Sequence, residues 1–283
     1  MKNQTKISAL VINLDNAKER WAFQQKQLDC LVIPYQRWPA NSVDDLTDDD
    51  YEKWANDWQR KLRRTEVACF LSHYRAWQHI ADSEQTFLIL EDDALLSKQL
   101  PEVLKLLAND HSLQYDHLTF ETRGRKKLIS KQGININKDV ALHELFLDKT
   151  GAATYILTPN GAKILLDAVA TSGVGLADAL LCHALPLKSM QSVPALAIQM
   201  DMATHYGMPN LTLQSIAKSH ISTESNTKPN ANSLTDKLSF KFKRLSAQLQ
   251  MGLIQAKKSS RSDYLEVLPN QSDFLYLNAL LKP

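Results

Sequence analysis

Hydrophobic positions along this chain follow two regimes: short unbroken apolar runs, and longer stretches where apolar residues recur every three or four positions. Residues 7–14 (Ile-Ser-Ala-Leu-Val-Ile-Asn-Leu) are of the first kind. The run is too short for an ordinary helix and rich in β-branched residues, so it predicts a buried parallel strand. A charged stretch over 16–28 predicts a helix, and a second strand is expected near 31–35, a β-α-β opening. Residues 44–64 turn from acidic to basic and predict a solvated helical loop whose basic end could face a phosphate. In 65–81, Val67, Phe70, Leu71, Tyr74, Trp77 and Ala81 mark one apolar face of a helix. Thr65 is its expected N-cap, with Glu66 favourable in the first turn and His73 two turns along the same flank. Residues 87–90 are a second buried strand that ends abruptly in Glu91-Asp92-Asp93. Further strands are expected over 115–121 and 152–157, with a weaker one over 193–199. Thr158-Pro159 reads as an N-cap followed by proline at the first position of a helix running to about residue 170. Strands alternating with helices predict an α/β fold.

Composition narrows the class. At 44% hydrophobic and 23% charged, the 283 residues exclude a disordered or collagen-like chain. The net charge of +2 excludes a polyanion binder acting through its whole surface. Three widely spaced cysteines, Cys30, Cys69 and Cys182, argue against a disulfide framework and for a reducing compartment. No run approaches the ~18 apolar residues of a membrane span. The first apolar run leads into Asn-Leu-Asp and charges, not a small-residue cleavage site, so a cytoplasmic location is expected. Residues 222–236 are polar and turn-rich, and 237–261 carry seven Lys or Arg and no acid. Leu238, Phe242, Leu245, Leu249 and Leu253 share one face of that basic stretch. The expected organisation is an α/β domain over 1–221, a linker over 222–236 and a basic amphipathic helical extension over 237–283. With positive charge confined to one tail and no recognition motif, nucleic acid is not an expected partner.

The chemistry concentrates at Glu91-Asp92-Asp93. Ligands bind beyond the carboxyl ends of strands in open α/β sheets. Adjacent carboxylates there suit Mg²⁺ or Mn²⁺ completed by substrate phosphates, or equally an acidic loop that caps the next helix. Phosphate-loop, dinucleotide-binding, serine-elbow and HExxH zinc motifs are absent. Cys69 is expected to be a small core residue, and His73 a structural hydrogen-bonder.

Seven blocks stand in a recognisable order. Val11-Ile12-Asn13-Leu14-Asp15 with Glu19-Arg20 comes first, then Arg37-Trp38-Pro39-Ala40-Asn41. Thr65-Glu66-Val67-Ala68-Cys69-Phe70-Leu71-Ser72-His73 precedes Phe87-Leu88-Ile89-Leu90-Glu91-Asp92-Asp93-Ala94. Gly151-Ala152-Ala153-Thr154-Tyr155-Ile156-Leu157, Gly161-Ala162 and Leu176-Ala177-Asp178 close the series. Over residues 7–200 this resembles glycosyltransferase family 25, the bacterial lipooligosaccharide galactosyltransferases related to collagen galactosyltransferases.

The resemblance implies a GT-A-like nucleotide-binding α/β domain and inverting transfer of a hexose from UDP-galactose to a lipooligosaccharide core acceptor. It implies Mn²⁺ or Mg²⁺ on Glu91 and Asp93, with His205 as a late metal ligand. Asp92 would share the metal or hold the donor ribose, and Asn13 and Arg20 would approach the diphosphate. Ala40, Asn41, Glu66, Ser72, His73 and Gln199 would line the pocket. Asp178 is the first candidate for the base and Glu121 the second. The basic tail would meet the anionic inner face of the bacterial inner membrane. A glucosyltransferase, a metal-dependent phosphoesterase and a non-catalytic, membrane-associated UDP-sugar-binding protein are the alternatives. Thr65 and Ala68 replace glycines usual in the family, and Gly175-Leu176-Ala177 replaces a stretch that usually begins with proline. Both departures bear on acceptor choice.

Overall fold

The computed structural model describes residues 6–56, 59–110, 112–173, 176–208, 216 and 234–281. The first apolar run forms β1 (Ser8–Asn13), followed by α1 (Lys18–Leu31) and β2 (Tyr35–Pro39). Helix α1 extends past the expected end because Leu28 and Leu31 lie on its buried face. Val32 stops it in a left-handed conformation (φ 55°), which moves the second strand to 35–39. The acidic segment becomes α2 (Asp48–Ala55), which buries Tyr51 and Ala55.

The long periodic helix is α3 (Arg64–Ser83). Its N-cap is Arg63 rather than Thr65. The Glu66 carboxylate accepts the Arg63 backbone N–H at 2.8 Å, so the first turn begins two residues earlier than a Thr65 cap would set it. Next come β3 (Phe87–Glu91), β4 (Ala94–Leu96), α4 (Leu100–Asn109) and β5 (His117–Thr119). A hairpin that the sequence does not announce follows, β6 (Lys126–Asn135) and β7 (Ala141–Leu147). The Asn137 side chain closes its turn by accepting the N–H groups of Asp139 and Val140. Then come β8 (Thr154–Leu157), α5 (Pro159–Ser172), α6 (Ala177–His183), β9 (Ser189–Val193) and β10 (Ala197–Gln199). Thr158 caps α5 as expected, accepting the Gly161 N–H. The basic stretch forms α7 (Leu234–Lys258), followed by β11 (Ser262–Glu266) and α8 (Leu277–Leu280). Of the expected linker, 222–233 lies outside the described residues.

The chain is α/β, as the alternation predicts, but the sheet is mixed. Nine strands run in the order β11-β6-β7-β9-β5-β8-β3-β1-β2, and β4 pairs separately with β10. Strand β1 is parallel to β2 and β3, and β8 runs antiparallel between β3 and β5. The unbroken apolar runs are explained by two covered faces. Leu10, Ile12, Phe87 and Ile89 pack with Phe70, Trp77 and Ile80 of α3 and Leu165 of α5. Ala9, Val11, Leu88 and Leu90 pack on the other side with Leu28 of α1 and Val103 of α4. The C-terminal residues return to the body, where Phe274 and Leu277 are buried with Phe23 and Leu95.

Candidate active site

Strands β2, β1, β3 and β5 all point the same way, so their carboxyl ends meet at one edge of the sheet. This topology brings Ala40 and Asn41, Asn13, Glu91-Asp92-Asp93 and Glu121 together from sequence positions more than a hundred residues apart at the extremes. The three consecutive acids there differ sharply in environment.

Asp92 is committed. It accepts from Asn13 Nδ2 and from Arg20 Nη1, each at 2.8 Å, and its carbonyl takes Gln24 Nε2 at 3.1 Å. Asn13 is equally occupied: it also donates to the Ala17 carbonyl and accepts from Arg37 Nε. Asp93 is the opposite case. Its Oδ1 is buried without a partner among the described residues, and its Oδ2 lies 3.8 Å from Arg20 Nη1. Burial, reinforced by Glu91, pushes the Asp93 carboxyl up to about 8.

Glu91 is aimed by a hydrogen-bond chain. Trp77 Nε1 is a donor only, so the Tyr155 hydroxyl oxygen accepts from it at 2.9 Å. Tyr155 Oη lies 3.0 Å from His73 Nδ1, and His73 Nε2 lies 3.1 Å from Glu91 Oε1. A carboxylate can only accept, which puts the proton on Nε2 and leaves Nδ1 to accept from Tyr155. His73 is fully buried and acts as the expected hydrogen-bonder, with the acid motif as its partner.

Glu121 sits underneath. It is buried, accepting from the Ala153 N–H at 2.8 Å and from Gln199 Nε2 at 2.9 Å. Burial and then Glu91 raise its carboxyl to about 7. The approach depends on Gly151 (φ 104°), where an added Cβ would lie 2.9 Å from the Glu121 carboxyl carbon. Gly151→Ala would combine a disfavoured backbone with a steric clash, together costing about 2–3 kcal/mol. The expected outcome is a fall in Tm of roughly 5–10 °C in thermal denaturation; an unchanged Tm would mean that the turn tolerates a side chain.

These groups border a cavity of about 540 Å³ lined by Arg20, Ala40, Asn41, Ser72, His73, Glu91, Asp92, Asp93 and Gln199. Through Thr65, Cys69, Glu91, Arg123 and Gln199 it joins a second cavity of about 370 Å³, which holds Glu66, Arg63, Arg125 and Asp178. Ser72 ties the wall together: its hydroxyl donates to Ala68 and accepts the Asn41 N–H at 2.8 Å. Glu66 is engaged by both Arg60 nitrogens at 2.7 Å. Asp178, in the first turn of α6, is raised by burial and by Glu91, against the Ala179 backbone N–H and Arg125. Thr65 and Ala68 stand on the cavity wall.

Several expectations change. Asn13 and Glu121 lie beneath the cavities, with their side-chain polar atoms engaged as described. His205 borders neither cavity; its Nε2 is 3.8 Å from Glu266 on β11. Cys69 is not a core residue: it faces the cavities one helical turn before His73. Arg123, which grips Asp201 at 2.7 Å and hydrogen-bonds Gln199, is a wall residue that sequence reasoning missed. No local motif marks it, since only the passage of β10 beside residues 120–122, just after β5, brings Gln199 and Asp201 to it. A larger groove of about 860 Å³ runs between α7 and β7, its surface mostly apolar, with four lysines at its border and no clustered acids. The chemistry therefore belongs to the strand ends.

Known proteins point to the same segment. Residues 6–180 match the family described as glycosyltransferase family 25 (LPS biosynthesis protein). The lipooligosaccharide biosynthesis protein lic2B of Haemophilus influenzae is 30% identical over 164 residues, 55% of this chain and 60% of that protein. Procollagen galactosyltransferase 2 of Homo sapiens is 36% identical over 131 residues, 46% of this chain and 18% of that protein. A further Haemophilus influenzae protein, of strain Rd, is 28% identical over 189 residues, 65% of its own length. The chain thus spans less than two thirds of each of these relatives. Among solved structures, the glycosyltransferase GlyE of Streptococcus pneumoniae TIGR4 aligns over 94% of this chain and 66% of its own, at a TM-score of 0.36 and 10% identity. The matched segment spans more than half of the sequence and contains β1, α3, the Glu-Asp-Asp turn after β3 and Asp178: the chain belongs to glycosyltransferase family 25.

Proposed function

We propose that this protein transfers a hexose, galactose from UDP-galactose, to a lipooligosaccharide core acceptor in a metal-dependent, inverting reaction. The observation that carries the reading is the buried Asp93 oxygen without a partner, beside Glu91 and at the convergence of four parallel strand ends. Like charges packed in this way are relieved by a proton, as at metal-free Asp93, or by a divalent cation. All-oxygen donors suit Mn²⁺ or Mg²⁺, which Glu91 and Asp93 would hold. Such a cation would offset the charge that builds on a departing diphosphate.

The remaining roles fall to groups of the chain itself. Arg20, kept in place by Asp92, presents a cation at the wall of the main cavity, and Arg123 presents another where the two cavities join. Both suit phosphate oxygens. Asp178 lies in the adjoining cavity, where an acceptor hydroxyl could deliver its proton to it. Glu121 is better suited to support Gln199 and the Gly151 turn than to meet substrate. The name of one relative, a procollagen galactosyltransferase, favours galactose, and that of another, a lipooligosaccharide biosynthesis protein, favours a saccharide acceptor. Calorimetry with UDP-galactose, UDP-glucose and UDP-N-acetylglucosamine, with and without Mn²⁺, tests the proposal. Metal-dependent binding that favours UDP-galactose is expected; folded protein that binds no UDP compound would overturn it.

Helix α7 favours peripheral attachment to an anionic membrane. No described helix is long and apolar enough to cross a bilayer. Yet Phe242 is 74% exposed and Leu249 63% exposed, on a helix that also bears Lys241, Lys243 and Arg244. An exposed apolar stripe flanked by cations suits the headgroup region of an anionic leaflet. Phe242→Glu with Leu249→Glu is expected to cut sedimentation with anionic vesicles about tenfold while sparing UDP-galactose binding. Undiminished sedimentation would remove the membrane role.

A further inference from the structure

A second kind of metal chemistry is built into the same wall. Cys69 and His73 are four residues apart on α3 and therefore share one face of the helix. Glu91 reaches that face from the end of β3. The ligand atoms of the three side chains all lie within 4.8 Å of one another. We propose that Cys69 Sγ, His73 Nε2 and Glu91 form a three-ligand site for a thiophilic divalent cation, Zn²⁺ or Co²⁺, with its fourth position open to the cavity.

The donor set is the first reason. Sulfur, imidazole and carboxylate together are the ligands of zinc-type cations, unlike the all-oxygen set at Asp93. Zn–S and Zn–N bonds of about 2.3 and 2.0 Å imply ligand separations of about 3.3–3.8 Å, so closure needs movements of only ~1 Å. The 3.1 Å contact between His73 and Glu91 is within a few tenths of an ångström of this range. The second reason is the surroundings of His73. A metal-bound imidazole donates through its other nitrogen to an oriented partner. Tyr155 Oη, 3.0 Å from Nδ1, has two lone pairs, one for Trp77 and one for that N–H. On binding, the Nε2 proton would be exchanged for one on Nδ1, and the thiol proton would pass to solvent. The third reason is access: Cys69, His73 and Glu91 all line the main cavity.

Glu91 belongs to both sites, so a thiophilic cation would withdraw it from the hard-cation site and block transfer. That consequence rests on the transferase reading; the binding does not. The test titrates the full chain with Co²⁺ under anaerobic conditions with a phosphine reductant. A saturable one-to-one thiolate-to-cobalt absorption band in the near ultraviolet is expected. Cys69→Ala should abolish it although Cys30 and Cys182 remain, Asp93→Asn should keep it, and Tyr155→Phe should weaken Co²⁺ about 10–100-fold. No band in folded wild-type protein, or the same band in Cys69→Ala, would overturn the site. In transfer assays, Zn²⁺ should inhibit at least tenfold less strongly in Cys69→Ala, measured against that variant's own zinc-free rate. Equal inhibition would show that zinc acts elsewhere.

Discussion

Asp93→Asn is expected to lower hexose transfer by about 10³-fold or more, because a Lewis-acid contribution of several kcal/mol depends on that carboxylate. The same substitution should stabilise the metal-free protein. In the folded state the Asp93 carboxyl is raised from 3.8 to about 8, by burial first and Glu91 second. Between those values the unfolded chain has released the proton and the folded chain retains it. The folded state thus binds more protons, and stability falls as pH rises through this window. Removing the ionisable group removes that loss, so the gain in Tm should be near zero around pH 4 and largest above pH 8. Mn²⁺ should raise the Tm of the wild-type protein and leave the variant unchanged, as read by thermal denaturation from pH 4 to 9. A fully active variant would sink the metal assignment. A pH-independent Tm difference would sink the electrostatic account.

Asp178→Asn is expected to lower kcat by about 10²–10⁴-fold, the usual contribution of a positioned proton acceptor. The KM for UDP-galactose should stay nearly constant, since Asp178 lies in the smaller cavity and not among the groups bordering the main one. The rate profile supplies a second readout. Burial raises the Asp178 carboxyl, Glu91 adds to the rise and Arg125 opposes it. The acidic limb of the wild-type profile should therefore lie above the ordinary aspartate range and vanish in the variant. A kcat within tenfold of wild type would assign the base to another group. Glu121 is poorly placed for that role, being buried and already accepting from Ala153 and Gln199.

Both experiments concern residues that the linear sequence marks unequally. Glu91-Asp92-Asp93 is conspicuous because three acids end an apolar run, but its three carboxylates read alike in one dimension. Asp92 accepts a hydrogen bond from Asn13 and pairs with Arg20, some seventy to eighty residues away, while Asp93 has an unpartnered oxygen. Cys69 reads as one more small residue on a helix. Its exposure to the cavity depends on where the ends of β1 and β3 leave space beside α3. The hairpin β6–β7 is silent for another reason. The outer half of β6 is exposed, so no alternation of apolar and polar residues records it.

The sequence by itself determined β1, β3, α3 and α5, because their apolar spacing must satisfy a sheet covered on both faces and helices covered on one. It also determined the amphipathic face of α7 and the family, through blocks whose order survives in linear form. Tertiary structure alone decided the mixed strand order, the burial of Asn13 and Glu121 beneath the cavity, the removal of His205 from it and the meeting of Cys69, His73 and Glu91. Periodicity records what each segment must bury locally. Which charges compensate one another depends on distances between segments that only folding brings together.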